Sequence, residues 1–257
     1  MPAMHDDSPR PARMGLGTIL LAVSIALAGW FIGAGVRDIR TADRFVSVKG
    51  VSEREAKADL ALWPIQLAVP DADLAAAQSR VNQNVSKVIA FLRANGIDST
   101  EVELQGLRVT DTFANPYNQG ARQGARFVIQ QTVMVRSEKP EIVRAASQKV
   151  GDLVNAGVVL SSGPEWGPGG PSYIFRRLND LKPSMIAEAT AEARKAAEQF
   201  AKDSKSRLGG IHRANQGVFV ILPRDAAGSE GGPGTSEQAQ ITKTIRVVTT
   251  VEYLLKN

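Results

Sequence analysis

The sequence predicts an α+β fold: a mostly antiparallel sheet with about three packed helices, preceded by one N-terminal transmembrane helix. Three observations carry this expectation. Segments of apolar–polar alternation come in pairs, and three stretches between them repeat apolar residues at helical spacing. A long uncharged run near the N-terminus has the length of a membrane span.

Met14 to Val36 is 23 residues without a charge, or roughly 34 Å as a helix, against a hydrocarbon core of about 30 Å. It reads as a signal anchor, with residues 1–13 a short polar tail and 37–43 a linker. A cleaved signal peptide is the alternative: Gly33, Ala34 and Gly35 offer small residues for cutting, although the run exceeds the usual apolar length. Trp30 and Phe31 suit a membrane interface. Arg10 and Arg13 precede the run, whereas Arg37, Arg40 and Arg44 follow it, so local charge alone does not set its orientation. Gly29 and Gly33 have the spacing that lets two membrane helices approach.

The domain that follows, 44–257, opens with a strand at 44–50, with Val46 and Val48 on one face. A second runs over 56–69, its phase slipping at Trp63-Pro64, where proline lacks a ladder donor; a bulge or an edge strand is expected. Asp73 caps a helix from Leu74 to about Asn95, with Leu74, Ala77, Val81, Val85, Val88 and Leu92 as its stripe and Gly96 as its stop. Strands follow at 101–110 and 126–136, the latter with Phe127, Ile129, Val133 and Val135 in phase. Pro140 opens a helix carrying Val143, Ala146, Val150 and Leu153, which Gly157 ends. Short strands at 158–160 and 173–178 flank a Gly/Pro-rich loop.

A third helix covers about 181–204, with Ile186, Ala189, Ala193, Ala196 and Phe200 inward and a supporting Glu198–Lys202 pair. A strand at 215–222, a loop at 223–240 and a long strand at 240–254 close the chain. That last strand turns Ile241, Ile245, Val247, Val251 and Tyr253 to one side. The blocks 56–110 and 126–160 share a strand–helix–strand order, a degenerate internal repeat in outline.

Composition removes several kinds of chemistry. With no cysteine there is no disulfide scaffold, thiolate metal site or cysteine nucleophile. The two histidines, His5 and His212, exclude a multi-histidine metal centre and confine any histidine-based triad to His212. The net charge of +5 lies wholly in 37–257, as 29 basic against 24 acidic residues, and no basic run exceeds two. With aromatics at 5% and not interleaved with basic residues, nucleic acid is not an expected partner. No phosphate loop, dinucleotide fingerprint, nucleophile elbow or zinc-protease motif occurs. No catalytic, cofactor or metal residue is therefore assigned. His212, in GGIHRANQG, reads as a surface histidine, and Glu101 with Glu103 as the solvent side of a strand.

The loop 161–172 carries Glu165 and Trp166 among glycines and prolines and is followed by Tyr173, Arg176 and Arg177. Trp166, Tyr173, Arg176 and Arg177 are the candidate ligand residues: an aromatic beside a carboxylate suits a sugar, and arginines suit an anionic group. The plainer reading is a loop that sets local shape.

Four segments together resemble one family: FVSVKGVSEREAKADLALWPIQLAV, RFVIQQTVMVR, MIAEATAEARKAAEQFAKDS and KTIRVVTTVEYLL. Over about 44–256 their order and spacing are similar to the SIMPL-domain family, whose first strand ends in a V-x-G turn. The resemblance implies a bacterial envelope protein, often periplasmic, with an α+β fold and no established catalytic residues. Some members form oligomers, and some are linked to stress resistance.

The expected function is thus that of a non-enzymatic, membrane-anchored envelope protein. Its main domain would lie in the periplasm and act by self-assembly or partner binding, with strands 44–50 or 241–254 as pairing edges. A small-molecule or glycan binding module using the 161–177 region is the alternative. A carboxylate-based hydrolase is a third.

Overall fold

The computed structural model describes residues 16–42, 44–114, 125–161, 170–224 and 236–256, and within the first of these segments the side chains of Gly17 and 20–32. Leu16–Ala42 is a 27-residue helix, α1. Its described large apolar side chains, from Leu20 to Ile32, are each half exposed or more. Among the described residues no helix is long and apolar enough to cross a membrane. The run 20–32 covers only about 20 Å at 1.5 Å per residue, and the expected span of 14–36 extends past it at both ends.

The remaining elements are β1 (Phe45–Lys57), β2 (Leu60–Asp71), α2 (Leu74–Ala94), β3 (Val102–Asp111), β4 (Phe127–Ser137), α3 (Pro140–Gln148) and α4 (Gly151–Asn155). They continue with β5 (Ser172–Ile174), α5 (Leu178–Asp203), β6 (Arg207–Gln216), β7 (Val220–Pro223) and β8 (Thr242–Lys256). The fold is α+β, but the described residues form two antiparallel sheets instead of one, with five α-helices. One sheet has the order β3-β4-β2-β5; the other has β1-β8-β6, with β7 also paired to β8. By compactness the chain divides into two units, one drawn from 49–193 and 215–250, the other from 1–48, 194–214 and 251–257.

In the larger unit, β2 and β3 both run antiparallel to β4, which lies between them. The chain after α4 returns antiparallel to β2 through the Leu67–Leu160 bridge and β5. Two strand–helix–strand crossovers thus interlock, each straddling a strand of the other, which is the structural counterpart of the repeated strand–helix–strand order.

The core follows the sequence stripes. Trp63, Ile65, Leu67 and Val69 of β2 and Ile129, Val133 and Val135 of β4 meet Ala77, Val81, Val85, Val88 and Leu92 of α2. Each large side chain so buried contributes roughly 1.5–3 kcal/mol. Asp73 caps α2, its carboxylate accepting from the Ala76 N–H at 2.7 Å, and Gly96 ends it at φ +83°. Leu74, expected in the stripe, is exposed because it sits in the first turn, beyond the sheet's cover. A second cluster joins Met185 and Ala189 of α5 to Ile245 and Val247 of β8.

Several expected boundaries move. β1 runs straight through the Val48-Lys49-Gly50 tripeptide, where the family resemblance implied a turn; the reversal comes at Ala58-Asp59. At Pro64 the pairing with β4 continues without a bulge. On the other side β5 pairs only with residues 60–62, so Pro64 occupies an edge, as its missing N–H requires. The second helix is two helices, broken where Lys149 and Val150 bond to carbonyls three residues back, ahead of Gly151. The strand expected at 173–178 is only Ser172–Ile174, and Leu178 already opens α5.

The buried stripe of α5 is Met185, Ala189, Ala193, Ala197 and Ala201, while Phe200 is exposed. Glu198 pairs with Arg194 at 3.1 Å instead of Lys202. The strand expected at 215–222 is the end of β6 and β7, parted at Gly217, whose N–H donates to the Val248 carbonyl.

In the smaller unit, the Leu255 N–H donates to the Arg44 carbonyl at 2.8 Å. Phe45 and His212 stack with ring centroids 5.8 Å apart.

Candidate functional site

Pro64 lines one concavity of the larger unit. The segment 159–161 bonds to β2 at Gln66 and Ala68, and β5 bonds to it at 60–62. Between them, on this side of the strand, β2 has no bonded neighbour among the described residues. A cavity of about 290 Å³ lies there, lined by Trp63, Pro64, Ile65 and Gln66 of β2, Ser147 and Val150 below, and Leu160, Ser161, Gly170 and Pro171. Its polar groups are the Gln66 carboxamide and the Ser147 and Ser161 hydroxyls. All are neutral, so the described lining residues offer hydrogen bonds to a neutral molecule and no ionisable acid or base.

Of the candidate ligand residues, Tyr173, Arg176 and Arg177 are not among the described residues lining this cavity. Tyr173 of β5 is 4% exposed, and its phenol bonds to Ser147. Burial raises its pKa above the ordinary value, and the Ser147 bond opposes that rise.

Arg176 is committed to the scaffold. Its backbone N–H and Nε both donate to Asp59 Oδ1, at 3.1 and 3.2 Å, and its terminal nitrogen donates to Glu138 Oε1 at 2.9 Å. The bonds to Glu138 and Asp59 hold its pKa above the usual value. Arg177 pairs with Asp180 at 2.9 Å in the first turn of α5, with most of its side chain in solvent. Trp166 lies outside the described residues.

Glu101 is not on a strand face with Glu103. It sits in a 3₁₀ turn at Ser99–Glu101, where its carboxylate accepts from the Asp98 N–H at 3.0 Å and from Ser137 Oγ at 2.7 Å. That capping box consumes the carboxylate that an acid/base pair would need. His212 lies on β6 against Phe45, not in a loop. Among the described residues no group of three or more His, Cys, Asp or Glu could hold a metal ion.

The exposed edges differ from those expected. β8 lies inside its sheet between β1 and β6, and Ile245, Val247 and Val251 are fully buried, so 241–254 offers no pairing edge. β1 is an edge. So is β3, which was not among the edges expected from sequence. Leu104 and Val109 of β3 lie opposite Val133 and Ile129 and so face the α2 side, but α2 covers β2 and β4 and stops short of them. Leu104, Leu107 and Val109 are 53, 55 and 49% exposed. Gly106, at φ +61°, makes the bulge that keeps Leu107 with them. Alternation alone cannot reveal this, because a half-covered strand carries the same pattern as a covered one.

A match to the SIMPL family, described as a protein of unknown function, spans residues 46–253. The chain belongs to the SIMPL family. No match is found among curated proteins. The SIMPL match runs from the first residues of β1 to the last turn of burial on β8, so it takes in both sheets, the cavity beside Pro64 and the β3 edge.

Proposed function

We propose that this SIMPL protein is a non-enzymatic, membrane-tethered envelope protein whose domain, on the periplasmic side, works by self-assembly. The observation that carries the reading is the apolar strip on β3. Leu104, Leu107 and Val109 stand half exposed beside an unpaired strand edge, a surface that proteins usually blunt or cover. The strip is also self-complementary. A second copy set antiparallel along β3, with Leu104 against Leu107, brings Glu103 against Arg108 and Val102 against Val109, an isologous arrangement.

The tether is supported by the uncharged run Met14–Val36 and by apolar side chains on every side of the described part of α1. An envelope protein joined to a bilayer at one end and to its copies at the other suits a role in envelope stress resistance.

The test is the mass of the full chain in detergent micelles by light scattering across a concentration series. Wild type should give a discrete oligomer, and Leu104→Lys with Leu107→Lys should give a monomer of unchanged circular dichroism. A monomeric wild type, or an oligomer indifferent to the double substitution, overturns the proposal.

A further inference from the structure

One side of α2 carries Arg80, Gln83, Asn84 and Lys87, at the three- and four-residue steps that align side chains along a helix. With Ala68–Pro70 at the end of β2 and with Gly157 and Val159, these four line a cavity of about 370 Å³, separate from the one beside Pro64. That is within the usual size of small-ligand sites.

Asn84 stands between the core and the cavity. The residue is 9% exposed, and it lines the cavity beside Gln83 and Lys87, within reach of a bound molecule.

The charges around it have spare capacity. Arg80 reaches Asp71 Oδ2 with one nitrogen at 3.2 Å, but that oxygen has no aligned hydrogen bond, so the guanidinium's donors remain available. Lys87 Nζ donates to the Ala156 carbonyl at 2.9 Å, which holds the ammonium at the cavity and leaves it two further donors. Two cations against the single carboxylate of Asp71 leave one net positive charge.

We propose that this cavity binds a small organic oxyanion, a carboxylate or a phosphate monoester. Arg80 and Lys87 take the charged head, and Asn84 and Gln83 hydrogen-bond to a hydroxylated body. The site is independent of the β3 edge and stands whether or not the protein self-assembles.

The test is calorimetric titration of the full chain in detergent micelles with glycerol 3-phosphate, with lactate, and with glycerol as the neutral control. At least one anion should bind saturably and glycerol should not; the anion that binds identifies the head group. Arg80→Gln and Lys87→Gln, both at exposed positions, should each weaken binding roughly tenfold or more. Asn84→Leu, which matches the side chain's bulk without its polarity, should retain the melting transition and lose binding. Failure of both anions to saturate, equal binding of glycerol, or affinity unchanged in all three variants overturns the proposal.

Discussion

Gly50 of β1 and Ala189 of α5 meet backbone to backbone: a Cβ added to Gly50 would lie 1.8 Å from the Ala189 carbonyl oxygen and 2.6 Å from the Ala193 amide nitrogen. No side-chain rotation relieves such an overlap, since the atoms met are main chain. The contact explains two features of the sequence at once. Glycine stands inside a strand that would otherwise favour a β-branched residue, and the facing positions of α5 are alanines. Nearby, Ser52 Oγ donates to Glu188 Oε2 at 2.9 Å and Arg54 donates to Ser184 Oγ at 3.0 Å, fixing the register of the approach.

Gly50→Ala should therefore be strongly destabilising. Overpacking of this kind typically costs about 1–3 kcal/mol, and the backbone overlap puts the expected loss at or beyond the upper end. Gly210→Ala, where nothing lies within 4 Å of the added carbon, should stay within about 0.5 kcal/mol of wild type. Urea melts of the two variants compare them directly, and equal midpoints would show that α5 moves off β1 at no cost.

Arg176 and Arg177 are adjacent in sequence and alike in charge, but their surroundings differ. Arg176 joins the β1–β2 reversal at Asp59 to Glu138 just beyond β4, whereas Arg177 makes one exposed pair within its own helix turn. Because Arg176 is itself two-fifths exposed, solvent screening limits its worth, but its two pairs hold two segments together, whereas the single exposed i,i+3 pair of Arg177 spans one turn. Arg176→Ala should lower the melting temperature measurably and Arg177→Ala scarcely at all. Equal effects would remove the clasp.

What the sequence made legible were the one-sided elements. The faces of β4 and β8 and the stripe of α2 alternate cleanly because one side of each meets a core and the other meets solvent. Asp73 and Gly96 mark the ends of α2 through bonds and dihedrals that depend only on neighbouring residues. The stripe of α5 was hidden for a different reason. Alanines occupy most sides of that helix, and hydropathy ranks Phe200 above Ala201, whereas the close approach at Gly50 selects small residues.

The rank of β8 and β3 within their sheets was equally hidden, since strand order depends on pairing across long stretches of chain. Of the bulge and the edge expected at Pro64, the structure has the edge. That the neighbours of Pro64 on one side would pair with β2 only above and below it and leave a cavity needed the return of residues 159–161 and 172–174, which local pattern does not contain. On the polar side of α2, Arg80, Gln83, Asn84 and Lys87 have the pattern of any solvated helix face; only the partial cover from Gly157 and Val159 makes a cavity there.

Lys243 carries the last prediction. It is 1% exposed on the inward face of β8, and its ammonium donates to the Glu237 carbonyl and lies 3.8 Å from the Glu237 carboxylate. Desolvation pushes its pKa below the ordinary 10.5, and the Glu237 charge only partly offsets this. A lysine whose folded pKa is depressed releases its proton from the folded state first. Between that pKa and 10.5 the unfolded chain binds more protons, so this group makes stability rise with pH across the window. Tyr173 acts in the opposite sense above 10.0, where the unfolded phenol ionises before the buried one. In urea melts from pH 7 to 10.5, Lys243→Met should match or exceed wild-type stability at pH 7, because burying a thioether avoids the desolvation of a cation. The variant should also lack the rise toward pH 10.5, and adding Tyr173→Phe should flatten the remaining alkaline decline. A Lys243→Met protein that is much less stable at pH 7 would instead make the bond to Glu237, which pins the 237–239 turn against β8, worth more than the desolvation it costs.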